Sequence, residues 1–208
     1  DRLGFPKSFT IYDTDDQQRA MKEVYKQLLV DDKFLPVKSA LGQIGRMKDQ
    51  LIGPEEALEA PADTKAGLVA KVYKAYADRL RSAGAMDFDD LIYHTVCLFQ
   101  DHPDVLEYYQ KKYRYVLVDE YQDTNALQDA LYACLARAGG EDLFFVGDLK
   151  QSIYRFRQAD PSIFQAKLER FAPYGQGGAQ KLFLDANFRS APGVIAGVNA
   201  VFGPLMSR

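Results

Sequence analysis

Tyr115-Val116-Leu117-Val118-Asp119-Glu120-Tyr121-Gln122-Asp123-Thr124-Asn125 is the stretch around which the rest of the chain makes sense. Residues 115–118 form a short apolar run rich in β-branched side chains, with charge on either side. That is how a strand buried on both faces of a parallel sheet reads. Asp119 and Glu120 then stand together where the strand ends. Open parallel sheets bind ligands just outside the carboxyl ends of their strands, so two adjacent carboxylates there are placed for chemistry. One can hold Mg²⁺ through water while the other polarises an attacking water, a division of labour suited to nucleotide hydrolysis. An isolated Asp-Glu would as readily solvate a strand end and cap the next helix, but the longer string 119–125 is far more specific.

A chain of 208 residues can bury a core, in one large domain or two smaller ones. Hydrophobic content of 47% and charged content of 26% match ordinary globular proteins and exclude a disordered or fibrous class. The apolar runs fall far short of a membrane span and no signal peptide is visible, so a cytoplasmic protein with no membrane partner is expected. Cys97 and Cys134 lie in apolar helical patterns without metal or redox spacing, and read as reduced core residues of a cytosolic protein. His94 and His102 are the only histidines, which leaves no histidine-rich metal site. A net charge of −3 excludes a strongly basic coat for nucleic acid but allows a local positive groove. Asp1 rather than Met opens the chain, and the expectation is that it begins inside a longer protein.

Upstream of the central stretch, residues 9–12 are strand-like. Thr14-Asp15-Asp16-Gln17 has capping-box spacing for a helix with the stripe Ala20, Met21, Val24, Tyr25, Leu28 and Leu29. A second stripe takes Val37, Leu41, Ile44, Lys48 and Leu51 between Pro36 and Gly53-Pro54. Residues 55–60 allow one short helix. Leu68, Val69, Val72, Tyr73, Tyr76 and Leu80 define a long one, closed by Gly84 as a left-handed cap. Asp87 is a natural N-cap for the helix carrying Leu91, Ile92, Val96 and Phe99, and Pro103 opens another toward Lys111-Lys112. Residues 14–112 thus read as helices without a strand.

Downstream, Leu127, Leu131, Cys134 and Leu135 predict a crossover helix, and residues 143–146 a second buried strand parallel to the first. Asp160-Pro161 starts a helix with Ile163, Phe164 and Leu168. Gly175-Gln176-Gly177-Gly178 is the candidate domain boundary. Beyond it, residues 181–184 read as a strand and 192–205 as a helix. Gln151, past the second strand, carries an amide able to donate to a phosphate or to an attacking water. Tyr154, Arg155, Phe156 and Arg157 interleave rings with cations, the pattern that holds single-stranded nucleic acid by stacking and phosphate contacts. Tyr154 and Phe156 would equally suit a domain core. Arg189, in Asn187-Phe188-Arg189, would by itself be a surface ion pair.

Val118-Asp119-Glu120-Tyr121-Gln122-Asp123 resembles the Walker B motif of UvrD/Rep-like superfamily 1 DNA helicases. The segment 146–157 resembles their motif III and 184–190 their motif IV, in the same order, so the resemblance covers essentially the whole chain. It implies an α/β fold: part of a RecA-like P-loop NTPase motor domain with a parallel sheet, carrying an inserted all-helical subdomain. The implied boundaries are 1–13 for the end of a first motor segment and 14–112 for the helical insert. Residues 113–178 would be the later half of the first motor domain, and 179–208 the start of the second. It also implies that Asp119 serves Mg²⁺ beside Glu120, that Glu120 directs the attacking water, and that Gln151 senses the γ-phosphate. Phe188 would stack on adenine, and Arg189 would reach the γ-phosphate as a finger. Tyr154, Arg155, Phe156 and Arg157 would grip single-stranded DNA, and residues 86–91 would lie beside its path.

No Gly-x-x-x-x-Gly-Lys-Ser/Thr loop occurs in the 208 residues. Gln158 stands where UvrD-like members usually have glycine, and Lys150 where they often have aspartate. Leu149-Lys150-Gln151 with Arg155-Phe156 resembles the AddA/RecB helicase–nuclease branch, whereas the short helical insert is closer to UvrD and PcrA. The expected function is an internal piece of an ATP-dependent helicase, using ATP and Mg²⁺ to move 3′ to 5′ on single-stranded DNA and open duplex junctions in repair or recombination. The piece alone is expected to be inactive. A helicase–nuclease subunit with a partner subunit, and a non-catalytic DNA-binding relative, are the alternatives.

Overall fold

The computed structural model describes residues 2–61, 64–137, 140–155 and 158–206, which fall into two compact units, Asp1–Arg170 and Phe171–Arg208. In the larger unit β1 (Thr10–Tyr12) pairs in parallel with β2 (Ala85–Asp87), Thr10 opposite Ala85. Between them in sequence lie α1 (Thr14–Leu28), α2 (Val37–Asp49), α3 (Pro54–Ala57) and α4 (Lys65–Ser82). After β2 come α5 (Phe88–Asp101) and α6 (Pro103–Lys112), then β3 (Val116–Val118). The crossover helix α7 (Ala126–Leu135) carries the chain to β4 (Leu143–Phe145), which runs parallel to β3 with Val116 opposite Leu143. α8 (Pro161–Arg170) ends the unit. The chain is therefore α/β with short parallel strands. No helix among the described residues is long and apolar enough to cross a membrane.

The helical segment closes on its own apolar stripes. Met21, Val24 and Tyr25 of α1 meet Ile44 of α2 and Val69, Val72, Tyr73 and Tyr76 of α4 in one buried cluster. Each fully buried Val, Ile or Met there contributes about 1.5–3 kcal/mol. The stripe of α1 is shorter than its periodicity predicts. Leu29 turns the chain in the left-handed region (φ 54) and is 90% exposed, with Leu28 also turned outward. The cap of α1 is Asp13, not Thr14: its Oδ1 accepts from the amides of Asp15 and Asp16, each at 2.9 Å. Gly84 (φ +60) does stop α4, and Asp87 caps α5 through a reciprocal box with Asp90.

Three expectations are corrected. Residues 14–112 are not all-helical, because β2 lies inside them. Its three residues sit between a helix stop and a helix cap, too few for a period of two, so only pairing with β1 reveals it. Lys48, expected in an apolar stripe, is 2% exposed as an ion rather than as packing. Its Nζ binds Asp87 Oδ2 at 2.8 Å and Asp90 Oδ1 at 2.7 Å, and the Tyr76 hydroxyl donates to Asp87 at 3.2 Å. Burial opposes the charge on Lys48, yet the two carboxylates outweigh it and raise its pKa. Finally, β3 is not buried on both faces. Leu117 and Phe144 of the β3–β4 pair are exposed, while Val116, Val118, Leu143 and Phe145 are half-buried. Among the described residues β3 has one strand neighbour, and only one face of the pair is covered.

The smaller unit pairs β5 (Ala172–Pro173) with β6 (Gln180–Lys181) and ends in α9 (Pro192–Met206). The expected strand over 181–184 stops at Lys181, and Leu182, Phe183 and Leu184 are exposed with no strand beside them among the described residues. The glycine-rich segment lies inside this unit, turning at Gly175, Gly177 and Gly178, all at positive φ. Cys97 and Cys134 are free thiols packed against the Tyr93–Val96–Leu127 cluster, and burial pushes both up.

Candidate functional site

The β3–β4 ladder continues past the strand ends, with Val146 N donating to Val118 O and Tyr121 N to Val146 O, both at 2.8 Å. This holds two loops side by side at the carboxyl tips of the strands. In the first, the Glu120 amide donates to Asp119 Oδ1 at 2.9 Å, and Glu120 itself takes left-handed backbone angles (φ 51, ψ 39). A non-glycine residue there is unfavourable by about 1–2 kcal/mol, strain of the kind that gathers at functional sites. The 3-10 turn Tyr121–Asp123 follows, and then Asn125 caps α7 in a reciprocal box with Gln128. Tyr121 anchors the turn from below. It stacks on Phe145 at 4.2 Å, meets Phe164 edge-on and hydrogen-bonds Asp129.

In the second loop Asp148 accepts from Lys150 N at 3.0 Å and from Gln151 Nε2 at 3.2 Å. Burial pushes the Asp148 carboxyl up, but the Lys150 amide, the Gln151 side chain and the Lys150 charge together hold it below the usual carboxylate value. Gln122 joins the two loops. It is 1% exposed, its Nε2 donates to Glu120 Oε2 at 2.6 Å, and its Oε1 accepts from Asp148 N at 3.0 Å. Glu120 and Gln151 are thereby brought into one hydrogen-bonded chain, Glu120–Gln122–Asp148–Gln151. In the sequence Gln122 stands out only as part of a motif. Its signal was a neutral amide two residues past a carboxylate pair, which alone says nothing about burial.

Asp119 and Glu120 are exposed, and among the described residues no cation pairs with either. No cluster of three His, Cys, Asp or Glu that could hold a metal occurs among the described residues. Exposed carboxylates of this kind are the donor type that binds Mg²⁺ through water and shared phosphates. Asp123 adds a buried Oδ1 with no hydrogen-bond partner among the described residues. Asp49 of α2 reaches the same stretch, accepting from Asn125 Nδ2 at 2.8 Å.

The loop after Gln151 stays attached to the motif. The Ser152 hydroxyl reaches Gln122 O at 3.4 Å, and Asp160 N donates to Thr124 O at 3.0 Å. Tyr154 is 37% exposed and Arg155 is exposed, whereas Phe156 and Arg157 lie outside the described residues. Gln158 has φ +69, the left-handed angle that glycine takes at no steric cost, which is the physical reason for glycine at this position. In the smaller unit Asn187 Oδ1 accepts from Arg189 N and Ser190 N at 2.9 and 3.0 Å, bending the chain so that Phe188 stands 95% exposed.

A family model described as UvrD/REP helicase N-terminal domain matches residues 1–172. The chain belongs to that family. The matched span takes in the whole of the larger unit, including both loops. Curated relatives include proteins named ATP-dependent DNA helicase PcrA from Staphylococcus epidermidis and from Staphylococcus aureus. Each is 40% identical over 201 residues, 97% of this chain and 27% of the relative. The chain thus spans about a quarter of the length of these UvrD-family relatives.

Proposed function

We propose that this chain is part of an ATP-dependent DNA helicase motor, in which the paired loops at the tips of β3 and β4 form one side of the nucleotide site. The observation that carries this is the hydrogen-bonded chain from Glu120 through Gln122 and Asp148 to Gln151. It joins a carboxylate that can direct water to an amide that can report on phosphate. The 40% identity to PcrA helicases supports the same reading, and favours the UvrD and PcrA branch over a helicase–nuclease.

On this reading Asp119 holds Mg²⁺ through water, and the ion would neutralise charge on the phosphates. Glu120 orients and polarises the attacking water, and its left-handed backbone sets the direction in which the side chain leaves the strand end. Gln151 donates to the γ-phosphate and loses that partner after hydrolysis. Because Tyr154 and Arg155 lie on the same loop, a shift of Gln151 reaches the residues that hold single-stranded DNA, together with Phe156 and Arg157. Phe188 would stack on adenine and Arg189 would meet transition-state charge.

The larger unit is read as a RecA-like motor segment with a helical insert. The insert is taken as residues 14–112, interrupted by β2, whose parallel pairing with β1 returns the chain to the level of its first strand. Residues 113–178 complete the first motor domain and residues 179–208 begin the second. Translocation 3′ to 5′, opening of duplex junctions and a role in repair complete the proposal, with ATP and Mg²⁺ as cofactors. The test is Glu120→Gln in the full-length protein containing this chain. ATP binding should persist while steady-state turnover with single-stranded DNA drops by about two or more orders of magnitude, the scale of losing a positioned base. Normal turnover would remove Glu120 from the mechanism.

A further inference from the structure

We propose that Gln122 is a positioning residue: it sets the orientation of the Glu120 carboxylate and makes that orientation depend on the state of the loop bearing Gln151. The inference rests on the reading above that Glu120 directs water and Gln151 meets phosphate.

Glu120 is exposed, and among the described residues Gln122 Nε2, at 2.6 Å, is the only side chain that bonds its carboxylate. Without that bond the terminal torsion of Glu120, which is broad and roughly two-fold, would be set by solvent. The other end of the same amide is equally committed. Gln122 Oε1 accepts from Asp148 N at 3.0 Å, and Asp148 in turn holds Gln151. A neutral amide is the one side chain of this length that can donate to a carboxylate and accept from a backbone N–H at once. The backbone of Gln122 is engaged as well, through the Ser152 hydroxyl.

The surroundings are shaped to this amide. A Cβ on Gly147 would lie 2.6 Å from Gln122 Oε1, 2.9 Å from Phe164 Cε1 and 3.2 Å from Gln122 N. A side chain at position 147 is therefore incompatible with the amide where it stands. The residue is also 1% exposed, so the amide has no route to solvent as a substitute partner. When Gln151 gains or loses a phosphate, the Asp148 loop that holds it shifts. The shift reaches Glu120 through two hydrogen bonds on one rigid amide plane. Glu120 is thus in position only when the sensing loop is.

Gln122→Glu separates the two bonds. It preserves volume and the acceptor for Asp148 N–H, but presents a carboxylate to Glu120 in place of a donor. In the full-length protein with single-stranded DNA, we expect kcat for ATP to drop roughly 10–100-fold, the range for partners that orient a reacting group. KM should be unchanged, the mark of an interaction used only in the transition state. Gly147→Ala, which pushes the same amide from the other side, should lower kcat with KM again unchanged. A folded Gln122→Glu protein with normal kcat would overturn the inference, as would a loss confined to KM. If that result came with Glu120→Gln inactive, this inference alone would fail; an active Glu120→Gln would instead remove the reading beneath it. Should the variants not fold, proton exchange of the Gln122 side-chain amide, read by NMR on the unaltered 208-residue chain, decides. Slow exchange is expected, and exchange at the rate of an exposed glutamine would refute the clamp.

Discussion

Replacing Lys48 by Met is the sharpest probe of how the helical segment is held to the rest of the larger unit. Methionine keeps most of the aliphatic volume and removes only the charge. The consequence follows from what remains: Asp87 and Asp90, whose side chains are 4% and 10% exposed, would face one another without their cation. Two carboxylates so placed cannot both stay ionised. Protonating one at pH 7 against an ordinary value near 3.9 costs about 4 kcal/mol, at 1.36 kcal/mol per pH unit. That agrees with the roughly 3–5 kcal/mol lost when one partner of a buried pair is removed, a large share of the stability of an ordinary domain. Urea unfolding followed by circular dichroism measures it, since the chain has no tryptophan. We expect an earlier midpoint at an unchanged slope. The sign with pH is also fixed. In the variant a carboxyl has its folded value raised above its unfolded one, so stability falls as pH rises from about 4 toward 7 and returns on acidification. A loss below about 1 kcal/mol at pH 7, or no recovery at pH 5, would refute this account of Lys48.

Three further outcomes are expected. Burial, followed by the charge of Asp89, pushes the Asp49 carboxyl up to about 6. It therefore withdraws stability as pH rises from about 4 to 6, and Asp49→Asn should flatten the pH dependence of the melting temperature in that window. Tyr154→Ala should weaken binding of an oligothymidylate by about 1–3 kcal/mol, in fluorescence anisotropy, if the exposed ring stacks on bases; an unchanged affinity would remove it from the interface. The 208 residues contain no Gly-x-x-x-x-Gly-Lys-Ser/Thr string, and carboxylates alone repel a nucleotide, so calorimetric titration with Mg-ATP at millimolar concentration should show no binding. Clear heat of binding would mean that other residues supply the phosphate site.

Much of this was local and therefore legible. Helical stripes, the cap at Asp87, the stop at Gly84 and the strand–helix–strand unit of β3, α7 and β4 are each written within a few consecutive residues. The string 118–123 is specific enough to point to the family by itself. The structure supplied what depends on residues far apart. Lys48 reads as one more position on a helical face until Asp87, 39 residues later, meets it. Gln122 is a motif letter until Asp148, 26 residues on, donates to it. β2 exists only as the partner of β1. Leu117 and Phe144 show the converse limit: an apolar run says that a strand forms, but not which of its faces anything covers. Periodicity and capping are encoded by neighbours in sequence, whereas burial, charge pairing and strand partnership are properties of what the fold brings into contact.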